Sequence, residues 1–579
     1  MQQTVASPAS AATPRPDLAP GLNGKRPRPA RLPASALVLL LAALYLLPGL
    51  IGHQPWKQDE TYIADIVRNM LDSGDLLVPS TAGEPFMEKP PLYYWMAALC
   101  AWLSSSWLPL HDGARLANPL LLGMTCCLLA RTARVWWGRE QAWLAPLLLL
   151  ACPGMFLHAH LLLTDLATLP GVALALHGAA IARTRPAAAG ALLGTGAGIG
   201  FLAKGLFVPG VLLLWALLLF ALYKPVRSQG WRRTAGLALL AALPWLLGWP
   251  LALYLRSPAL FEDWFWLNNV GRFVGFSVPR LGAAHDGFFW LKTLPWFAIP
   301  ALPLALASCL DTSRRATHAA AILPLATLII SMLAVLGLAA SARNNYALPL
   351  LPPLALLAMP AAASMPPWLG RRLHGLARIL AALLALAVWL LWCKLHFPAA
   401  PLPWLVPGQV LPHDFSDPIS PARLGVALLL SLYAAGAAVR LRLAASRWII
   451  SWTAGLALAW GLLSLLLLPW IDAAKSYRAL LGEAMQALPA QQRCLASIGL
   501  GESERAMLHY YFAVVSVQVD TPAAAGCDAL LVEQTRQQQV TPDAATWTMR
   551  WQGSRPGDTN ERFGLYLREG AAGAPPPQP

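Results

Sequence analysis

The chain has 579 residues, of which 57% are hydrophobic and only 12% charged, and its mean hydropathy is +0.51. Apolar stretches of roughly 17 to 25 residues recur from Ser35 to Trp470, which excludes a soluble protein and indicates helices that cross a membrane. The net charge of +15 is divided among short basic clusters between those stretches, so it indicates the cytoplasmic loops of a membrane protein rather than a nucleic-acid-binding face.

The N-terminal segment is predicted to be a disordered basic cytoplasmic tail. Residues 1 to 34 are rich in Pro and Ala, carry five basic residues and precede a first span at 35 to 52. The stretch "WKQDETYIADIVRNMLDSGD", residues 56 to 75, then places four Asp and one Glu beside the membrane. We expect it to belong to an extracytoplasmic loop over residues 53 to 113 that contains interfacial helices.

The stretch "PPLYYWMAALCAWLSSSWLPL", residues 90 to 110, is apolar enough to be a second span but is predicted to lie along the membrane surface. Its paired prolines, paired tyrosines and three tryptophans are typical of an amphipathic helix with its rings at headgroup level. If it crossed, six later loops with two or more Lys or Arg each would face outwards, against the positive-inside rule.

About thirteen spans remain when residues 90 to 110 are not counted, so the predicted fold is an all-α polytopic membrane domain over residues 35 to 470. After 35 to 52, the predicted spans are 114–133, 141–160, 165–182, 187–203, 206–223, 235–255, 288–308, 318–340, 346–364, 376–396, 421–440 and 447–470. This topology brings several polar features to the extracytoplasmic side: residues 59–75, "MEKPP" at 87–91, Asp165, Lys204, the loop 256–287 and "SARNNY" at 341–346.

The composition changes after Trp470, where residues 471 to 570 are predicted to form a small soluble α/β domain on the extracytoplasmic side. A helical pattern at 474 to 488 precedes four strand-like runs, "CLASIGL", "VVSVQV", "ALLVEQ" and "FGLYLRE", with a further helix near 504 to 512. Residues 571 to 579 are predicted to be a disordered tail. Of the eight cysteines, only Cys494 and Cys527 lie in a polar region, and outside the cytoplasm they can pair.

Three acidic residues are candidates for chemistry. Asp59 and Glu60 follow the first span, where Asp59 is expected to point into a cavity at the end of the helical bundle. Glu60 is equally well explained as a favourable charge at the start of a helix. Asp165, in "LLLTDLATLP", follows an apolar run, where an ionisable group indicates function, although Thr164 and Asp165 also suit a helix N-cap.

Cations collect on the side that the positive-inside rule leaves poor in them. Lys89 follows Glu88 in a segment stiffened by two prolines, Lys204 lies between apolar residues, and more cations follow at Arg256, Arg272, Arg280 and Arg343. A surface ion pair explains the Glu88–Lys89 dipeptide alone, and snorkelling explains Lys204 alone. Together, Arg and Lys at this side indicate an anionic ligand such as a phosphate.

One histidine in the same region is a candidate metal ligand. His285, in "GAAHDGFFW", is by itself an ordinary loop residue. Paired with Glu88 it can bind a divalent metal ion, for which two ligands alone do not specify zinc.

Taken together, these motifs resemble the membrane glycosyltransferases that use polyprenyl-phosphate sugars, the protein O-mannosyltransferase superfamily, and within it the bacterial lipid A aminoarabinose transferases most closely. The resemblance covers nearly the whole chain. It rests on the order and spacing of Asp59-Glu60-Thr61, "FMEKPPLYYW" (86–95), Asp165, "FLAKG" (201–205), "NNVGRF" (268–273), His285 and "NYALPLLPPLALL" (345–357).

The resemblance implies a role for each candidate. Asp59 becomes the main catalytic carboxylate and Asp165 a second acid of the site, with Glu60 beside them. The carrier phosphate would be held by Lys89, Lys204 and Arg272, with Arg343 adding charge and Tyr346 closing over it. Glu88 and His285 would bind zinc, the one expected cofactor.

The expected reaction moves a sugar from undecaprenyl phosphate to an extracytoplasmic acceptor, 4-amino-4-deoxy-L-arabinose to a lipid A phosphate, at the bacterial inner membrane. The expected partners are therefore lipids, with no nucleic acid. Transfer of another lipid-linked sugar to protein Ser or Thr, or to a cell-surface glycan, is the alternative. A lipid or ion transporter is disfavoured because no repeated halves are visible, and a scaffolding protein would leave the outer cations unexplained.

Overall fold

The computed structural model describes residues 34–281, 287–399, 412, 415–440, 448–489, 494–536 and 538–568. The predicted tails at 1 to 34 and 571 to 579, except Ala34, and the predicted metal ligand His285 lie outside this part of the chain. The described part is a helical membrane domain followed by a small domain built on a five-stranded sheet.

The helices of the membrane domain are α1 Ala34–Leu46, α2 Asp59–Ser73, α3 Leu92–Ser104, α4 Leu110–Arg115, α5 Ala117–Trp137, α6 Leu144–Leu150, α7 Pro153–His158, α8 Thr168–Ile181, α9 Pro186–Lys204, α10 Phe207–Leu222, α11 Gln229–Arg256, α12 Pro258–Glu262, α13 Arg272–Val274, α14 Val278–Leu281, α15 Phe289–Phe297, α16 Ala301–Leu310, α17 Thr312–Leu338, α18 Leu351–Ala363, α19 Pro367–His396, α20 Pro421–Arg440, α21 Trp448–Leu466 and α22 Leu468–Lys475. Short helical turns include Thr164–Ala167, Lys224–Arg227 and Asn344–Leu350, and a π-helical segment covers Asp263–Gly271.

Among the described residues, nine helical segments are long and apolar enough to cross a membrane, or ten if the bent pair α15 and α16 forms one span. A multi-pass membrane protein is thus confirmed. Every one of the thirteen predicted spans contains helix, but α1 and α10 are short, and the span predicted at 141 to 160 is broken between α6 and α7. Pro153 explains the break, because it holds the preceding Cys152 in an extended conformation. Thirteen crossings stay a prediction.

The helix α3 has the position and length of an interfacial helix. Its 13 residues span about 20 Å, less than the ~30 Å of a hydrocarbon core. Trp102 and Trp107 are exposed, as expected for rings at a membrane interface. A two-residue hairpin, β1 Ser80–Thr81 with β2 Glu84–Pro85, connects the end of α2 to α3.

Glycines bring three helices of the membrane domain into close contact. A Cβ on Gly171 of α8 would lie 2.8 Å from the Gly196 carbonyl oxygen of α9. On another face of α9, a Cβ on Gly194 would lie 2.2 Å from the Ala238 carbonyl oxygen of α11. Such small residues let membrane helices pack backbone to backbone. The packing fixes the end of α9, and therefore Lys204, beside the start of α8.

The C-terminal domain is the predicted α/β unit. Its elements are α23 Arg478–Gln486, β3 Leu495–Ile498, α24 Glu502–Phe512, β4 Ser516–Gln518, β5 Ala529–Thr535, β6 Trp547–Gly553 and β7 Glu561–Arg568, with strand order β4-β3-β5-β7-β6. β3 pairs in parallel with β4 and β5, whereas β7 pairs antiparallel with β5 and β6. The sequence patterns missed β6. Cys494 and Cys527 form a disulfide, as the polar context allowed.

Candidate active site

Asp165 and Lys204 meet where the start of α8 and the end of α9 come together. Asp165 is fully buried, and its carboxylate accepts a hydrogen bond from the Lys204 ammonium and another, 3.0 Å long, from Asn345 Nδ2. The Lys204 ammonium also lies 3.5 Å from the centre of the Tyr346 ring, a cation–π contact. Lys204 therefore does not snorkel towards the surface, and its side chain is only 13% exposed.

The N-cap alternative for Asp165 is not what the structure shows. Asp165 lies in the turn Thr164–Ala167 before α8, and no side chain caps either the turn or the helix. The Thr164 hydroxyl is buried without a hydrogen-bond partner in the described part of the chain. The Asp165 side chain is instead directed to Lys204 and Asn345, so it belongs to an ionic cluster.

Glu88 and Lys89 form the second part of this cluster, together with Arg272. The Arg272 guanidinium donates a 2.7 Å hydrogen bond to Glu88 Oε1, and Lys89 Nζ lies 3.9 Å from the same oxygen. The Glu88 and Lys89 side chains are 10% and 8% exposed, so they are not a surface ion pair.

Electrostatics keep both groups charged. Burial would raise the pKa of Glu88, but the Lys89 and Arg272 cations lower this pKa to about 2. Burial would likewise lower the pKa of Lys89, but the carboxylates of Asp59 and Glu88 raise it above its usual value. Lys89 is therefore a fixed cation at neutral pH.

Asp59 is the first residue of α2 and lines a cavity of about 220 Å³. Its Oδ1 accepts a hydrogen bond from the Tyr62 hydroxyl and lies 3.5 Å from Arg343 Nη1. The Asp59 side chain remains 15% exposed, so it can meet a ligand. The cavity is lined by Lys57, Gln58, Asp59, Glu60, His158, Leu161, Leu162, Leu163, Arg343 and Asn345.

Glu60 also borders the cavity, but its carboxylate is occupied by protein groups. It accepts hydrogen bonds of 2.9 Å from Arg115 Nε, 2.9 Å from the Leu162 backbone N–H and 3.1 Å from the Trp56 backbone N–H. Arg115 is fully buried and also donates to Asp112. We infer that Glu60 holds the loops around Asp59 in place. Its predicted catalytic role stays a prediction.

The structure thus unites eight of the ten predicted site residues around one cavity or its ionic border: Asp59, Glu60, Asp165, Lys89, Lys204, Arg272, Arg343 and Glu88. Tyr346 joins them through Lys204. Arg256, by contrast, is 66% exposed and lies 4.0 Å from Asp75, away from the cluster.

Three residues to which the sequence analysis gave no role belong to the site. His158 lines the cavity, and its Nδ1 donates to the Gly154 carbonyl oxygen at 2.6 Å, so the neutral ring keeps Nε2 as an acceptor. Asn345 orients Asp165, and Tyr62 orients Asp59. His158 was detectable as a histidine in an apolar run seven residues before Asp165.

The described half of the predicted metal site does not by itself fit a metal ion. Glu88 already pairs with Arg272, and no group of three possible ligands includes it in the described part of the chain. The one such group found there consists of Glu504, Glu533 and Glu561 in the C-terminal domain. Zinc binding by Glu88 and His285 stays a prediction.

Residues 88–275 match the family model described as dolichyl-phosphate-mannose-protein mannosyltransferase. The chain is 32% identical over 342 residues to an undecaprenyl phosphate-alpha-4-amino-4-deoxy-L-arabinose arabinosyl transferase of Sodalis glossinidius, and 33% identical over 341 residues to the Pseudomonas aeruginosa (strain LESB58) protein of the same name. The predicted resemblance is confirmed. These matches cover 55% and 56% of this chain and 57% and 59% of the relatives, so the chain spans less than two thirds of their length.

The fold agrees with a solved structure over almost the whole chain. ArnT from Cupriavidus metallidurans, crystallised with undecaprenyl phosphate, superposes with a TM-score of 0.67 at 18% identity, covering 92% of this chain and 97% of that one. Its apo structure gives a TM-score of 0.66 at 19% identity, covering 92% of this chain and 98% of that one. At such low identity the agreement shows a common fold, namely a helical membrane domain followed by a small C-terminal domain.

Proposed function

We propose that this chain is a membrane glycosyltransferase that transfers 4-amino-4-deoxy-L-arabinose from undecaprenyl phosphate to a lipid A phosphate. One observation carries the proposal: Lys89, Lys204, Arg272 and Arg343 converge with Asp59 and Asp165 from six distant segments onto one cavity and its border. The names of the sequence relatives support the choice of carrier and sugar.

The cations fit the carrier phosphate. When the bond between sugar and phosphate breaks, negative charge develops on the departing undecaprenyl phosphate, and fixed cations aimed at it stabilise the transition state. Lys89 and Lys204 suit this role because each ammonium is largely buried and paired with a carboxylate, Glu88 for Lys89 and Asp165 for Lys204. A phosphate entering the cluster would replace part of the pairing that Asp165 and Glu88 now provide.

Asp59 is the candidate for the acceptor side of the reaction. It borders the cavity, is partly exposed and is oriented by Tyr62 and Arg343. A lipid A phosphate is already ionised near neutral pH and needs no strong base, so Asp59 would then stabilise positive charge on the reacting sugar. With a hydroxyl acceptor, Asp59 would act as general base.

The orientation in the membrane is part of the proposal. The N-terminus would lie in the cytoplasm of a bacterial cell, and the C-terminal domain in the periplasm at the inner membrane. The disulfide between Cys494 and Cys527 supports this orientation, because disulfides persist in oxidising compartments.

The test is release of undecaprenyl phosphate by the purified protein from a panel of undecaprenyl-phosphate sugars, with lipid A, a Ser/Thr peptide and a glycan as acceptors. We expect release with the aminoarabinose donor and lipid A. Asp59→Asn should slow it by about 10²- to 10⁴-fold.

Asp72→Asn is the matched control, because Asp72 lies on the same helix with an exposed side chain paired to Arg68. It should leave the rate unchanged. An unaffected rate in Asp59→Asn would overturn the role of Asp59, whereas turnover only with a hydroxyl acceptor would replace lipid A by the alternative acceptor class.

A further inference from the structure

Lys57, two residues before Asp59, extends away from the membrane domain into the C-terminal domain. Its Nζ lies 2.8 Å from Glu504 Oε1 and 3.0 Å from Glu561 Oε1. Glu504 is on α24 and Glu561 begins β7. Two elements of the C-terminal domain therefore bind the side chain that leads into α2. We call Lys57, Glu504 and Glu561 the lysine clasp.

The carboxylate end of the clasp is buried at Glu504, whereas the Lys57 side chain remains 31% exposed. Glu504 is 0% exposed, and neither of its carboxylate oxygens has a hydrogen-bond partner among the described residues, which leaves the Lys57 ammonium as its ion-pair partner there. Glu533 on β5 lies close, since ligand oxygens of Glu504, Glu533 and Glu561 are within 4.8 Å of one another. Removing the Lys57 ammonium is costly because it leaves the buried Glu504 carboxylate without this cation.

A metal ion is the less suitable occupant of this acidic group. The three carboxylates have metal-like spacing, but two of them already bind the Lys57 ammonium, and Arg555 pairs with Glu561 at 2.9 Å. Tyr477 donates a further 2.8 Å hydrogen bond to Glu561. The group is thus filled by cations and donors of the chain itself.

A second set of contacts holds the backbone turn at Lys57 and Gln58, directly before α2. The Gln58 carbonyl oxygen accepts hydrogen bonds from Thr61 Oγ1 at 2.6 Å and from Ser503 Oγ of α24 at 3.4 Å. Further along α2, Asp65 Oδ1 lies 2.7 Å from His509 Nδ1 of α24. Helix α24 therefore lies against α2 from its first turn onwards, and Asp59 is the residue at which α2 begins.

We propose that the C-terminal domain positions the catalytic carboxylate through the lysine clasp, which makes Lys57 a positioning residue for Asp59. The proposal rests on the proposed function. The clasp fixes the backbone at Lys57 and Gln58, and this backbone sets the direction in which the Asp59 carboxylate enters the cavity. The domain is then a working part of the active site and not only an appended module.

The kinetic test compares Lys57→Met, Glu504→Gln and the double variant in the full chain, with Lys224→Met as a control at an exposed lysine of another loop. Each single variant should lower kcat by up to about 100-fold, the cost of a small misplacement, with an unchanged KM for the donor. The double variant should be no worse than the singles, because both remove one interaction. Lys57→Arg should retain most of the rate.

Lys57 itself borders the cavity, so direct contact with substrate is the competing explanation. Loss of activity in Lys57→Met with a normal rate in Glu504→Gln would establish direct contact and overturn the clasp. Normal rates in both single variants would overturn it as well.

Hydrogen exchange of residues 56 to 62 provides a readout that needs no activity. Exchange should rise in both single variants and stay at the wild-type level in Lys224→Met, and an unchanged exchange in Lys57→Met would overturn the clasp. If the wild-type protein releases no carrier phosphate from any donor, the proposed function fails by itself, and exchange still decides whether the clasp holds the turn.

Discussion

Glu88 in the candidate active site and Glu533 in the C-terminal domain are both largely buried among charges, yet their pKa values shift in opposite directions. Burial would raise the pKa of Glu88, but Lys89 and Arg272 lower it to about 2. Burial and the neighbouring Glu504 raise the pKa of Glu533 to about 8. The active-site cluster places four cations, Lys89, Lys204, Arg272 and Arg343, against the carboxylates of Asp59, Asp165 and Glu88, and it borders an open cavity. The second cluster is a group of three carboxylates that binds the Lys57 ammonium. Only the first is arranged to receive an anion.

Of the substitutions that distinguish the two clusters, Lys204→Met is expected to have the largest effect on stability and turnover. This change leaves Asp165 buried without its cation, and breaking such a pair costs about 3 to 5 kcal/mol. We expect a marked fall in the melting temperature of the detergent-purified protein, together with loss of turnover.

The double variant Lys204→Met with Asp165→Asn separates stability from function. It removes both charges, so the melting temperature should recover while turnover stays absent. Recovery of turnover in the double variant would show that Lys204 only neutralises Asp165 and does not act on the carrier phosphate.

A smaller effect on stability is expected from removing the disulfide of the C-terminal domain. Cys494 and Cys527 are 33 residues apart, and a loop of this length is worth about 3 to 4 kcal/mol in the chain-entropy model. Cys494→Ser should therefore make the C-terminal domain more sensitive to limited proteolysis. Cys127→Ser, at an exposed free thiol, is the control and should behave like the wild type. Equal protease resistance of both variants would contradict the expectation.

The smallest expected effects are on the pH dependence of folding stability, to which Glu533 and Glu88 should contribute with opposite signs. The raised pKa of Glu533 means that the folded state binds the extra proton, so stability falls as the pH rises from 4.5 through about 8. The lowered pKa of Glu88 contributes stability that is present above pH 4.5 and lost as the pH falls through about 2.

Melting temperatures across this pH range test both signs. Glu533→Gln should flatten the decline on the alkaline side, and Glu88→Gln should flatten the loss on the acid side. A steeper alkaline decline in Glu533→Gln would contradict the closed, proton-retaining character of the C-terminal acidic group.

The sequence predicted those site residues whose side of the membrane follows from the number of spans and the charge of the loops. Charge-sorted loops place Asp59, Lys89, Asp165 and Lys204 at one end of the helices, and the structure brings them together there. Hydropathy also predicted most helices, and alternation predicted four of the five strands of the C-terminal sheet.

What the sequence did not predict depends on contacts between distant segments. The sequence analysis did not single out Lys57, because its partners Glu504 and Glu561 are more than 400 residues away along the chain. For Glu60 the sequence left chemistry and a helix-start charge equally open, because Arg115, which binds it, gave no local signal. His158 and Asn345 enter the site only through the packing of α7 and of the turn before α18.

The central claim is that the cationic cluster recognises the phosphate of a polyprenyl carrier. The most direct measurement is the binding of undecaprenyl phosphate and of undecaprenol, which lacks the phosphate, to the same wild-type preparation and to Lys89→Met. We predict tighter binding of the phosphate lipid to the wild type and loss of that preference in Lys89→Met, with undecaprenol binding unchanged. Equal binding of the two lipids to the wild-type protein would contradict the account.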